Sequence, residues 1–149
     1  MQIWADADAL PGAIRDILFR AAQRVGVKLT LVASKSLRTP DTNLIHSLWV
    51  PVGEDAADHK IMELMQAGDL VITADIPLAA KVVDKGGLAL DPRGELYSRD
   101  NIGERLATRN LLDELRSGGQ RIGGPAPIDS RARQTFANQL DRWLAQQEL

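Results

Sequence analysis

From its second residue to about its ninetieth, the chain alternates short apolar runs with amphipathic stretches that end in glycine. Few folds accommodate that order. Residues 2–5 read as a buried strand, and Pro11 opens a helix, since proline is tolerated in a first helical turn. Ile14, Ile17, Leu18, Ala21, Ala22 and Val25 fall on one face at helical spacing, and Gly26 ends the run. Residues 28–33 and 48–52 read as the second and third strands, residues 55–67 as a helix with Ile61, Met62 and Met65 inward, and residues 70–73 as a fourth strand. Asp75-Ile76-Pro77 starts a helix that Gly86-Gly87 closes. Residues 88–90 form a fifth strand, ended by the turn Asp91-Pro92-Arg93-Gly94. Strands separated by helices imply parallel βαβ units. The expected architecture is a three-layer α/β/α sandwich with a central, mostly parallel sheet of four or five strands. Two further helices follow, from residue 101 to about 116 and from about 130 to 147, the second carrying Phe136, Leu140, Trp143 and Leu144. At 149 residues the whole is expected to be one domain, with 100–149 a helical extension packed on it.

Composition narrows the function classes. The chain has no cysteine, so disulfides and thiolate metal sites are excluded. No stretch approaches the ~20 apolar residues of a membrane helix, and Asp6 interrupts the N-terminus before a signal-like apolar run can build; a soluble cytoplasmic protein is the expectation. A net charge of -2 argues against binding nucleic acid through bulk charge. Any anion contact has to be local.

The informative feature is where the acids fall. In open parallel sheets, ligands sit at the carboxyl ends of the strands. Asp6 and Asp8 follow the first strand, Asp55 and Asp58 open the helix after the third, and Asp75 follows the fourth. Crowded carboxylates raise one another's pKa. A hard divalent cation removes that penalty, and oxygen donors suit Mg²⁺ or Mn²⁺. Helix capping is the competing explanation for Asp75, and the helix dipole for Asp55. Asp6, ending an apolar strand, is harder to dismiss, because an unpaired buried charge is costly.

The segments ADADALP, EDAADHKI, DLVITADIPLAAKVVDKG, DPRGELYSRDNIGERLATR and GGPAPIDSRARQTFANQLDRWL together resemble the YaiI/YqxD family of uncharacterised bacterial proteins, over nearly the whole chain. That family is similar to PIN-like domains, which are metal-dependent ribonucleases. The resemblance implies that Asp6, Asp58 and Asp75 are catalytic and hold Mg²⁺ or Mn²⁺, with Asp8 and Asp55 tuning the site or holding a second ion, and with RNA or another phosphate-containing molecule as substrate. The arginine-rich C-terminal third lies beyond a minimal domain of that kind.

Candidate substrate-binding residues are Ser34 and Lys35 after the second strand, and Arg105 and Arg109 on one stripe of the helix from Asn101. A solvated face paired with Glu104, Asp113 and Glu114 is the plainer reading of that stripe. Tyr97 is the one expected exposed ring for stacking a base. Three other readings compete with the nuclease. The pair Asp6-x-Asp8 fits a haloacid-dehalogenase-type phosphohydrolase with Asp6 as nucleophile, and RNA or nucleotide binding without catalysis is a further class. A receiver domain fits poorly, since the fifth strand ends in Asp91 where that fold requires lysine.

Overall fold

A computed structural model describes residues 1–8, 10–53, 55–118 and 128–147. Its elements run β1 (Ile3–Asp6), α1 (Gly12–Val25), β2 (Leu29–Ala33), β3 (Ile45–Trp49), α2 (Ala56–Leu64), β4 (Leu70–Ile72), α3 (Ile76–Asp84), β5 (Leu88–Leu90), β6 (Leu96–Tyr97), α4 (Ile102–Ser117) and α5 (Ser130–Ala145). One sheet has the order β3-β2-β1-β4-β5-β6. All neighbours are parallel except β5 and β6.

The sheet has one strand more than the periodicity predicts. β6 is two residues long, too short to show a period of two, and the turn at Asp91–Gly94 is what folds it back antiparallel onto β5. β3 begins three residues earlier than expected and ends at Trp49, before Pro51. Its register on β2 is set by Ile45, which is buried opposite Leu29.

Side chains alternate across the sheet, and this alternation builds two cores. Ile3, Ala5, Leu29, Leu31, Leu70, Ile72 and Leu90 pack on one face with α1 and with Phe136, Leu140, Trp143 and Leu144 of α5. Trp4, Val32, Val71 and Ala89 pack on the other face with α2 and α3. α4 lies against α3 and buries none of its own residues. The loop around Gly123-Gly124-Pro125, singled out in the sequence, lies outside the described residues. No helix among the described residues is long and apolar enough to cross a membrane.

α2 ends at Leu64, three residues short of its predicted end, because of a carboxylate the sequence did not draw attention to. Asp69 is fully buried, and it accepts from the backbone N–H of Gln66 at 2.9 Å, the backbone N–H of Gln2 at 3.0 Å and the Trp4 indole N–H at 3.0 Å. One side chain thus ties the helix exit to the start of β1. Removing a buried acceptor leaves its donors unsatisfied at about 1–3 kcal/mol each. Asp69→Ala is therefore expected to destabilise the fold by about 3 kcal/mol or more in urea unfolding. A loss under about 1 kcal/mol would show that water replaces the carboxylate at little cost.

Candidate metal site

The strand order reverses at β1, with β2 and β3 on one side and β4 and β5 on the other. Chains diverge there, and a crevice opens at the carboxyl ends. It is a cavity of about 200 Å³, and Asp6, Asp8, Ser34, Val50, Pro51, Gly53, Asp55, Asp58 and Asp75 are among its lining residues. All five aspartates singled out in the sequence therefore meet at one edge. Within this group, carboxylate oxygens of Asp55, Asp58 and Asp75 lie within 4.8 Å of one another. Asp6 borders that trio from the end of β1.

Each side chain is placed by local chemistry. Asp75 caps α3, accepting from Leu78 N–H at 3.0 Å. Thr73, fully buried at the end of β4, accepts the Asp75 backbone N–H at 3.0 Å and donates its hydroxyl to Asp6 at 3.4 Å. It is the structural residue of the site whose role sequence reasoning missed, although it stands two residues before Asp75 in the segment DLVITADIPLAAKVVDKG. Asp8 accepts the Ser34 N–H with both oxygens, each at 3.0 Å. Asp55 sits at the start of α2 but caps nothing with its side chain. Its φ is 63°, the one non-glycine positive value among the described residues. Aspartate tolerates that left-handed region better than most residues, at some strain. Capping therefore holds for Asp75, whereas Asp55 makes no capping bond and keeps only its favourable place at the α2 dipole.

The electrostatics follow from this packing. The Asp58 carboxyl is pushed up to about 7, first by burial, then by the Asp75 charge and a hydrogen bond to Asp75, and further by Asp6 and Asp55. Asp6 is raised as well, by burial and by Asp75 and Asp8, against the opposing Thr73 hydrogen bond. At neutral pH the cluster holds back part of its charge by keeping a proton.

The donor set fits a hard divalent ion. It consists of carboxylate oxygens alone, with no imidazole or thiolate in the trio. His59 follows Asp58 but is exposed on the outer side of α2, and His46 lies on the edge strand.

The remaining candidates fall elsewhere. Ser34 lines the cavity, whereas Lys35 is exposed beyond it. Arg105 pairs with Glu95, and Arg109 pairs with Asp113 at 2.9 Å, so both guanidiniums on α4 are engaged away from the acids. Tyr97, expected to be exposed, is buried beneath α3 because β6 turns it into the core. The exposed ring is Trp49, 66% accessible at the end of β3.

A profile of the uncharacterised YaiI/YqxD family matches residues 4–146. Among curated relatives, a UPF0178 protein of Burkholderia ambifaria is 60% identical over 145 residues, covering 97% of both chains. A UPF0178 protein of Xanthomonas campestris is 58% identical over 146 residues, 98% of this chain and 91% of its own. One from Thioalkalivibrio sulfidiphilus is 59% identical over 145 residues, 97% of this chain and 99% of its own. No solved structure matches the chain.

A proton held by the folded state has a thermodynamic signature. The folded protein keeps the Asp58 proton to about pH 7, while the unfolded chain releases it near 3.8. In EDTA, stability is therefore expected to be highest near the lower value and to fall as pH rises toward 7, after which this loss is complete. Solvent screening holds the fall to on the order of 1–2 kcal/mol. Asp58→Asn should flatten most of it, leaving the smaller slope due to Asp6. Urea unfolding of both proteins at pH 4.5 and 7.5 checks this, and equal pH slopes would remove the coupling.

Proposed function

Taking as premise that the chain belongs to the YaiI/YqxD family, we propose that it is a divalent-metal-dependent phosphodiesterase acting on RNA. The observation that carries this reading is the meeting of Asp55, Asp58 and Asp75 within 4.8 Å, in a cavity that Asp6 and Asp8 also border. Five acids from three separate segments of the chain are more than capping requires. Asp55, Asp58 and Asp75 would hold Mg²⁺ or Mn²⁺, with Asp6 beside them. When bound, such an ion supplies water activation and neutralises charge on a phosphate.

The chain's own groups do the rest. Asp58 must release its proton before its oxygens can act as ligands, so proton and ion compete for the same site. Thr73 fixes Asp6 against Asp75. Asp8, immobilised on the Ser34 N–H, holds the β2 exit against the cavity wall. Ser34 itself lines the space where a phosphate would lie. The phosphohydrolase alternative, with Asp6 as nucleophile, needs one Asp6 oxygen for attack, and Thr73 engages only the other at 3.4 Å, so the substrate assay below separates the two readings.

Two outcomes are expected in ligand binding. Because binding to the native state alone stabilises by RT ln(1 + [L]/Kd), Mn²⁺ at ~100 times Kd should add roughly 2.7 kcal/mol at pH 8. Below pH 7 the affinity should weaken by up to about tenfold per pH unit, as Asp58 regains its proton. Thermal melts in a Mn²⁺ and pH series measure both. An unchanged melting temperature in millimolar Mn²⁺ would rule out the site.

For the chemistry, Asp6→Asn and Asp75→Asn are each expected to lower single-turnover cleavage of a labelled RNA on the order of 100-fold or more, with the fold retained. Cleavage that persists in both variants points to a contaminating nuclease and removes the enzyme assignment. Turnover of an aryl phosphate monoester without RNA cleavage transfers the assignment to the phosphohydrolase.

A further inference from the structure

The arginines Arg105 and Arg109 of α4 are neutralised by partners, so the free positive charge has to be sought elsewhere. A cluster of it lies on the opposite layer. Between α1 and α5 runs a groove of about 580 Å³ bearing Arg20, Arg24 and Arg133. A second hollow of about 440 Å³, sharing Asp16 with the first, bears Arg15, Arg38 and the half-buried ring of Phe19. Five guanidiniums thus face two carboxylates, Asp16 and Asp141, on a chain whose net charge is -2. Only Arg24 is matched, by Asp141 at 2.7 Å. Among the described residues, Arg15, Arg20, Arg38 and Arg133 have no carboxylate within salt-bridge distance. Arg20 reaches only the Asp16 backbone carbonyl at 3.4 Å, and Arg133 only the Ser130 hydroxyl at 2.9 Å. Most of their donor N–H groups stay available, in the planar fork that suits phosphate.

These charges connect to the acidic cavity through the chain. Ser34 lines that cavity and precedes Arg38 by four residues in the loop after β2. α1 begins at the same sheet edge, so Arg15, in its first turn, is the nearer end of the row, and Arg20 lies about 7.5 Å further along the axis. One small anion cannot touch both hollows; a chain of phosphates can. Trp49 stands opposite Ala33 in register, next to Ser34. Its neighbours Leu48 and Val50 face α2 and α3, so the alternation of the strand puts the Trp49 ring on the α1 side. An exposed indole on the same side of the sheet as these arginines suits stacking of an unpaired base.

We propose that the α1–α5 face, entered past Trp49 and Arg38 from the acidic cavity, is a track for single-stranded RNA, with phosphates on Arg15, Arg38, Arg20 and Arg133 and a base on Trp49. The identity of the polyanion rests on the phosphodiesterase reading; the row of unmatched guanidiniums does not.

The test is equilibrium binding of a labelled oligouridylate of about 12 nucleotides to the full chain in EDTA, followed by fluorescence anisotropy over a salt series. The Arg20→Gln/Arg133→Gln protein should bind roughly tenfold or more weaker, with its log Kd against log salt slope reduced by about 1.4, near 0.7 for each phosphate left without its arginine. Arg20→Lys/Arg133→Lys should keep the wild-type slope, which a merely structural effect would not allow. Trp49→Ala should weaken binding with the slope unchanged, since stacking releases no counterions. The control Arg105→Gln/Arg109→Gln, altering arginines already paired, should stay within about twofold of wild type. Equal losses in the α4 control and the groove variants would overturn the track. So would wild-type protein that binds anionic phosphatidylserine vesicles but not RNA. Cleavage in Mn²⁺ is read separately. Groove-dependent binding without cleavage removes the phosphodiesterase activity and leaves the track standing, whereas cleavage indifferent to the groove variants removes the track alone.

Discussion

The structure hangs on a four-residue strand. β1 is parallel to β2 on one side and to β4 on the other, so its backbone groups are paired in both directions, and Ile3, Trp4 and Ala5 are shut off from water on both faces. Its burial forces the next residue, Asp6, to emerge at the reversal point of the sheet. The crevice opens there, lined by the exits of β1 and β2, the segment from β3 into α2, and the N-cap of α3. The Asp69 carboxylate holds the other end of β1 through Gln2 and Trp4. The strand is thus fixed by hydrogen bonds at its start and ends in a charge.

That end is electrostatically unfavourable by itself. Asp6, Asp58 and Asp75 crowd one another in a half-shielded cavity, and burial first, then the neighbouring charges, raises the pKa values of Asp6 and Asp58. Asp55 adds backbone strain at the same place. Unfavourable terms gathered at one point of an otherwise well-satisfied fold mark a site shaped for something other than stability. Under the proposed function, a hard cation that relieved the repulsion would convert that cost into binding selectivity for oxygen-preferring ions.

The two sides of the molecule carry opposite electrostatic character. The acid cavity lies at the sheet edge and the unmatched arginines lie along α1 and α5. The overall charge of -2 hides this separation, because it averages two local fields of opposite sign. Under the proposed function, a substrate that carries phosphates would be drawn by the second field and cut at the first.

The fold was legible in the residue order because burial on both faces of a parallel sheet demands near-continuous apolar runs, and β1, β2, β4 and β5 have them. β6 was not, because two residues carry no period, and only the turn at Asp91–Gly94 gives it a partner. The acids were legible as a set, since each follows a strand or opens a helix and the topology rule sends such positions to one edge. Their division of labour was not. That Asp8 is tied to Ser34, that Asp75 both caps α3 and joins the trio, and that Thr73 bridges Asp6 to Asp75 depend on angstrom-scale distances that the order of residues does not carry. The arginines show the same limit most plainly. Helical spacing drew attention to Arg105 and Arg109, yet whether a guanidinium is free depends on which carboxylate the fold brings beside it. Here Glu95 and Asp113 neutralise that stripe of α4, and the packing of α5 on α1 leaves Arg20 and Arg133 without a carboxylate partner among the described residues.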